Sequence, residues 1–202
     1  MLFRSVMRNL IQCSITVGIL ASVVLLNTGC APLLAGGAAT GAVVTNDRRT
    51  TGTVIEDQAI ENKTYEFYSA DGALAEQTHI NVTSYNQMVL LTGEAPTEAL
   101  RKRAVEYANR VAKVRHVQNE IAIASPSTTV NRTNDGLLTA KVKAKLISIK
   151  DVSSTDIKVV TEAGVVYLMG LIDKATADAI AEQVATVGGI TKVVKLFESA
   201  EQ

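Results

Sequence analysis

The residues able to do chemistry are few and scattered. His79 and His116 stand 37 positions apart, and the only two cysteines, Cys13 and Cys30, share no short spacing. A zinc or iron–sulfur site needs a denser set of soft ligands, so the expectation is no metal and no cofactor. No serine sits in a Gly-x-Ser-x-Gly elbow, and no glycine-rich phosphate loop occurs. Asp173, Asp178 and Glu182 read as one polar helix face with no cleft to raise a pKa, so they do not pair as catalytic acids. The chain is therefore expected not to be an enzyme. What remains is charge beside apolar residues. Lys141, Lys143, Lys145 and Lys150 follow Leu137 and Leu138 with no acid among them, a pattern suited to an anionic surface rather than to a reaction. A second basic run, Arg101-Lys102-Arg103, is extended by Arg110, Lys113 and Arg115.

These residues belong to a chain of 202, with 20 Lys and Arg against 20 Asp and Glu, 47% hydrophobic and 4% aromatic. That composition suits a globular chain with small cores. The even charge excludes the basic field that nucleic acid would require. Arg4 and Arg8 precede a mostly apolar run from Leu10 to Leu26, slightly short of the roughly 20 residues of a bilayer-spanning helix. Residues 1–29 read as a secretory signal peptide. The Gly29-Cys30 junction resembles the lipobox of bacterial lipoproteins, with Asn27 where leucine is usual and Leu26 one position early. The resemblance implies that Cys30 carries the lipid anchor and, because Ala31 rather than aspartate follows, that the chain is sorted to the periplasmic face of the outer membrane. Residues 30–52, rich in Gly, Ala and Thr, read as a lipidated flexible tether.

The remainder repeats itself at an offset of 77. Ile80-Asn81-Val82 lies over Ile157-Lys158-Val159, and Val89-Leu90-Leu91-Thr92-Gly93 over Val166-Tyr167-Leu168-Met169-Gly170. The copies span residues 53–124 and 134–199, joined by a linker at 125–133 around Ser125-Pro126-Ser127. In each copy the hydrophobic period changes in the same order. A helix comes first (Glu56 to Tyr68; Leu137 to Ile149), then two strands around a turn at Tyr85-Asn86-Gln87 or Glu162-Ala163-Gly164. A helix capped by Thr97 or Asp173 follows, and a closing strand ends the unit (Val117 to Ile123; Val193 to Phe197). The order αββαβ predicts an α/β (α+β) chain of two tandem two-layer sandwiches. Gly93 and Gly170 are expected to be structural, allowing a backbone approach that a Cβ would crowd.

Ile-x-Val, then Val-x-Leu-x-Gly, a helix, and Val-x-x-Val before a last strand resembles the BON domain. Two copies behind a lipobox resemble dual-BON outer-membrane lipoproteins. The likeness covers residues 47 to 199, most densely at Asn134-Asp135, Thr139-Ala140-Lys141-Val142, Val159-Val160-Thr161-Glu162 and Val166-Tyr167-Leu168-Met169-Gly170-Leu171. It implies a non-enzymatic periplasmic module that binds anionic phospholipid, chiefly through the first helix of the second domain, and supports envelope integrity under stress and at division.

The charges single out that same helix. Glu56 to Phe67 holds four acids against Lys63, whereas Leu137 to Lys150 holds four lysines and no acid. Val142, Leu146 and Ile149 recur at i, i+4, i+7 and should face the domain's own sheet. Leu137 and Leu138 are expected to dip into lipid while Lys141 and Lys145 hold phosphates. With Gly136 and Val142, these complete the expected phospholipid-binding set. The dual-BON lipoproteins that this chain resembles carry Trp at the position matching Leu137. The rival reading is a tethered adaptor whose first domain docks an envelope-assembly or division protein, or an anionic cell-wall polymer.

Overall fold

In a computed structural model the described residues are 47–150 and 152–199; the expected signal peptide, Cys30 and the tether up to Asn46 lie outside them. Helix α1 (Thr51–Ala70) leads into the short α2 (Gly72–Gln77). Strands β1 (His79–Tyr85) and β2 (Met88–Ala95) pair antiparallel, and after α3 (Glu98–Arg110) strand β3 (His116–Ile123) returns parallel to β2. The second copy runs α4 (Thr129–Ser148), a single 3₁₀ turn (Ser154–Asp156), β4 (Ile157–Glu162), β5 (Val165–Leu171), α5 (Lys174–Ala185) and β6 (Lys192–Glu198). Both sheets place the second strand centrally, in the orders β1-β2-β3 and β4-β5-β6.

The two leading helices begin earlier than their apolar period suggests. Thr50 and Thr128 are the N-caps, their hydroxyls accepting from Thr53 N at 3.1 Å and Asn131 N at 3.4 Å. Residues 129–133, expected in the linker, are thus helical, as are Thr51 and Gly52 at the end of the expected tether. Their first turns are polar, and a capping hydroxyl starts a helix before any hydrophobic repeat can reveal it. Thr97 and Asp173 cap α3 and α5 as expected, accepting from Leu100 N and Thr176 N.

Each sheet buries one face under its own helices. Ile60, Val82, Val89, Leu91, Ala104 and Ala108 form the first core, and Val142, Leu146, Val159, Val166, Leu168 and Ile180 the second. The opposite faces meet each other: Tyr85, Met88 and Leu90 pack with Tyr167 and Met169 in a third apolar cluster. The layers are therefore helix, sheet, sheet, helix. A polar collar closes the seam. Asn81 Nδ2 donates to Glu162 Oε2 at 2.8 Å, Tyr85 OH to the Asp156 carbonyl at 3.2 Å, and Asn86 Nδ2 to Glu198 Oε2 at 2.8 Å.

One device occurs in both copies. The hairpin turns put Asn86 (φ 52°), Gln87 (φ 63°), Ala163 (φ 49°) and Gly164 (φ 76°) in the left-handed region, which suits two-residue hairpins and is costly for a side chain. A buried aspartate from the leading helix holds each turn. Asp57 accepts from Asn86 N at 2.8 Å and Gln87 N at 2.7 Å, and Asp135 from Ala163 N and Gly164 N, both at 2.9 Å. Gly93 (φ 104°) serves the sheet differently, since a Cβ there would lie 2.0 Å from the His79 carbonyl oxygen; at Gly170 it would lie 2.8 Å from that of Asp156. The β-carbons of other residues would drive the strand pair apart.

Two outcomes are expected. Asp135→Ala orphans two turn N–H groups and should cost about 2 to 4 kcal/mol in urea unfolding. Burial pushes the Tyr85 and Tyr167 hydroxyls up to about 12, against an unfolded value of about 10. The unfolded chain then loses protons that the folded chain keeps, so the contribution of these two hydroxyls should be level below pH 10 and stability should fall between about 10 and 12. Thermal melts of Tyr85→Phe and Tyr167→Phe should each show a shallower alkaline fall.

Candidate membrane-facing helix

Helix α4 owes its rotation to what it must bury. Asp135, Leu138, Val142 and Leu146, spaced three, four and four, all face inward. Asp135 reaches the hairpin turn, while Val142 and Leu146 enter the helix-side core. Leu138 is only 3% exposed, and its Cδ1 stands 3.6 Å from where a Cβ at Gly189 would be. Two of the expected lipid contacts are thereby corrected: Leu138 and Val142 are interior residues. Leu138 lies four residues before Val142 and simply extends the apolar row.

The outward face keeps the rest of the set. Leu137 is 61% exposed, Gly136 and Lys141 are exposed, and Lys145 is half-buried on the flank. Val130, two helical turns before Leu137 and so on the same stripe, is 77% exposed. It was not among the sequence candidates, because it precedes the expected start of the helix. Among the described residues, Lys141, Lys143 and Lys145 form no ion pair. Their charge is available to an external anion.

The equivalent face of α1 is different in kind. Asp57 is consumed under its hairpin, Glu61 accepts from Ser84 N at 2.8 Å, and Glu56 pairs with Lys113 and accepts from Gln87 Nε2 at 2.6 Å. The acids counted along the sequence are therefore mostly internal ligands rather than a repelling surface. The basic run is similarly occupied. Arg101 pairs with Glu98, Arg103 with Asp71 and Arg115 with Glu198, while Arg110 stands 5.4 Å over the Tyr107 ring. His116 is exposed at the start of β3. Asp178 accepts from both Lys174 and Lys195, and these hydrogen bonds hold its carboxyl down at about 2, which deprives it of any acid–base role near neutrality.

The two adjacent leucines should separate cleanly. Leu138→Ala should lower unfolding free energy by about 2 to 5 kcal/mol, whereas Leu137→Ala should change it by no more than about 0.5 kcal/mol. Urea denaturation of the two variants checks the assignment of inner and outer faces.

The chain is 34% identical over 170 residues to the outer membrane lipoprotein DolP of Haemophilus influenzae, covering 84% of this chain and 88% of that one. It is 36% identical to a 21 kDa hemolysin of Actinobacillus pleuropneumoniae, covering 75% and 78% of the two chains. It is 29% identical to the osmotically-inducible protein Y of Escherichia coli, covering 76% and 77%. The BON domain family matches twice, at residues 56–125 and 134–201. The chain belongs to the BON-domain family, with two domains in tandem.

Proposed function

We propose that this chain, an outer-membrane envelope lipoprotein, reads anionic phospholipid with the outward stripe of α4 while Cys30 anchors it. The observation that carries the reading is the juxtaposition on one helix face of an exposed Leu137 with lysines that have no carboxylate partner among the described residues. The relative named as an outer membrane lipoprotein supports the location. None of the helices among the described residues is long and apolar enough to cross a membrane, so a surface-lying contact is the mode that fits α4.

The physics is modest and additive. Val130 and Leu137 offer apolar area to the headgroup boundary, and each lysine near an anionic leaflet contributes about 1 kcal/mol, screened over roughly 8 Å at physiological salt. Leu137 lacks the polar handle that an interfacial Trp would have, so more of the binding falls to Lys141 and Lys145. The adaptor reading loses ground because Arg101, Arg103, Lys113 and Arg115 are already paired within the chain.

Co-sedimentation of a soluble chain starting at Asp47 with liposomes tests this. Binding is expected to anionic but not zwitterionic vesicles, to weaken with salt, to be lost in Leu137→Glu, and to fall about fivefold in Lys141→Ala. Undiminished binding of Leu137→Glu would overturn the assignment to α4. Absence of binding to either vesicle would direct attention to a protein or cell-wall partner.

A further inference from the structure

We propose that His79, Glu94 and Glu162 form a binding site for a divalent transition-metal ion of the zinc class, placed so that the ion ties the first domain to the second. His79 opens β1 and Glu94 lies near the end of β2, and the antiparallel register sets them directly opposite each other. Glu162, the last residue of β4, reaches them from the other domain. One nitrogen and two carboxylate oxygens, one from each residue, lie within 4.8 Å of one another. The set holds both donor types that zinc accepts from neutral imidazole and carboxylate.

Three further observations point to a cation rather than to a simple polar cluster. His79 Nδ1 is buried and makes no hydrogen bond, although it stands 3.3 Å from Glu94 Oε2. Two ligands of one tetrahedral zinc, at metal distances of about 2.1 Å, are separated by about 3.4 Å. The pair is thus spaced like co-ligands and not aligned as donor and acceptor. Both glutamates are buried, which brings two carboxylates together away from water. A divalent ion would neutralise both.

The surroundings supply what ligating carboxylates require. Ser127 N donates to Glu94 Oε2 at 3.2 Å, and Asn81 Nδ2 and Thr92 Oγ1 donate to Glu162 Oε2 at 2.8 and 3.3 Å. Such outer partners orient ligands and raise their affinity. A cleft of about 250 Å³, lined by His79 and Glu162 together with Arg132, Asp135 and Thr139, gives an entry path and room for a water as a fourth ligand. The cluster sits on the polar collar of the seam, where the ligands come from both sheets, so the bound ion would oppose separation of the domains.

The test is calorimetric titration of zinc chloride into the full-length, tag-free chain in detergent after treatment with EDTA. One equivalent should bind, with affinity falling at least tenfold in His79→Ala and in Glu162→Gln and unchanged in His116→Ala. Zinc should raise the melting temperature of the parent chain and leave that of Glu162→Gln unmoved. If His79→Ala fails to fold by circular dichroism, the near-isosteric Glu162→Gln decides alone. Absence of saturable one-equivalent binding, or an affinity untouched by Glu162→Gln, overturns the site.

Discussion

A three-stranded sheet with helices on only one side has a bare apolar face, and covering that face is the constraint on which the rest of this molecule depends. Leu90 and Met169 are fully buried only because each sheet is the other's lid. Neither domain could present this face to water without a penalty that so small a core would struggle to offset. The tandem repeat is accordingly one body rather than two beads. Tyr85 is central to the arrangement: its ring lies in the seam, its hydroxyl binds the Asp156 carbonyl, and the Arg49 guanidinium stacks 4.0 Å above it.

Within each half, the rotation of the leading helix is fixed by a carboxylate. Asp57 and Asp135 are equivalent in the repeat, and each satisfies the two N–H groups of a strained hairpin turn. Burying a carboxylate is costly unless its oxygens are fully used, which locks the helix to one angle about its axis. For α4 that angle decides everything at the surface. Asp135 inward forces Leu138 inward and leaves Leu137 outside, so the difference between a core residue and an exposed one is a single position set by a hydrogen bond on the turn before.

Much of this was legible in the sequence. The repeat, the strand pairs, both turns and the caps Thr97 and Asp173 follow from local spacing, because local hydrogen bonds and amphipathic periods create them. The parts that escaped depend on partners far along the chain. A buried carboxylate such as Asp135 is invisible to a search for apolar periodicity, although Leu138, four residues before Val142, already continues the apolar row that Leu137 leaves. The continuous runs Met88 to Leu91 and Val165 to Met169 did carry the signature of strands buried on both faces, a signal for the sheet-to-sheet seam that alternation alone conceals. His79 and Glu94 are neighbours only once the strand register is known, and Glu162 joins them only across the domain seam, so counting histidines and cysteines could not find that cluster.

The four-layer order also gives the molecule two ends. The helices of the second domain form one outer layer and those of the first domain the other, with the paired sheets between them. At about 10 Å per layer, the outer helices stand about 30 Å apart. If α4 rests on a leaflet, α1 and α3 face the opposite way, on the far side of both sheets. The surface available to anything else in the envelope would then be the helical layer of the first domain, turned away from the lipid.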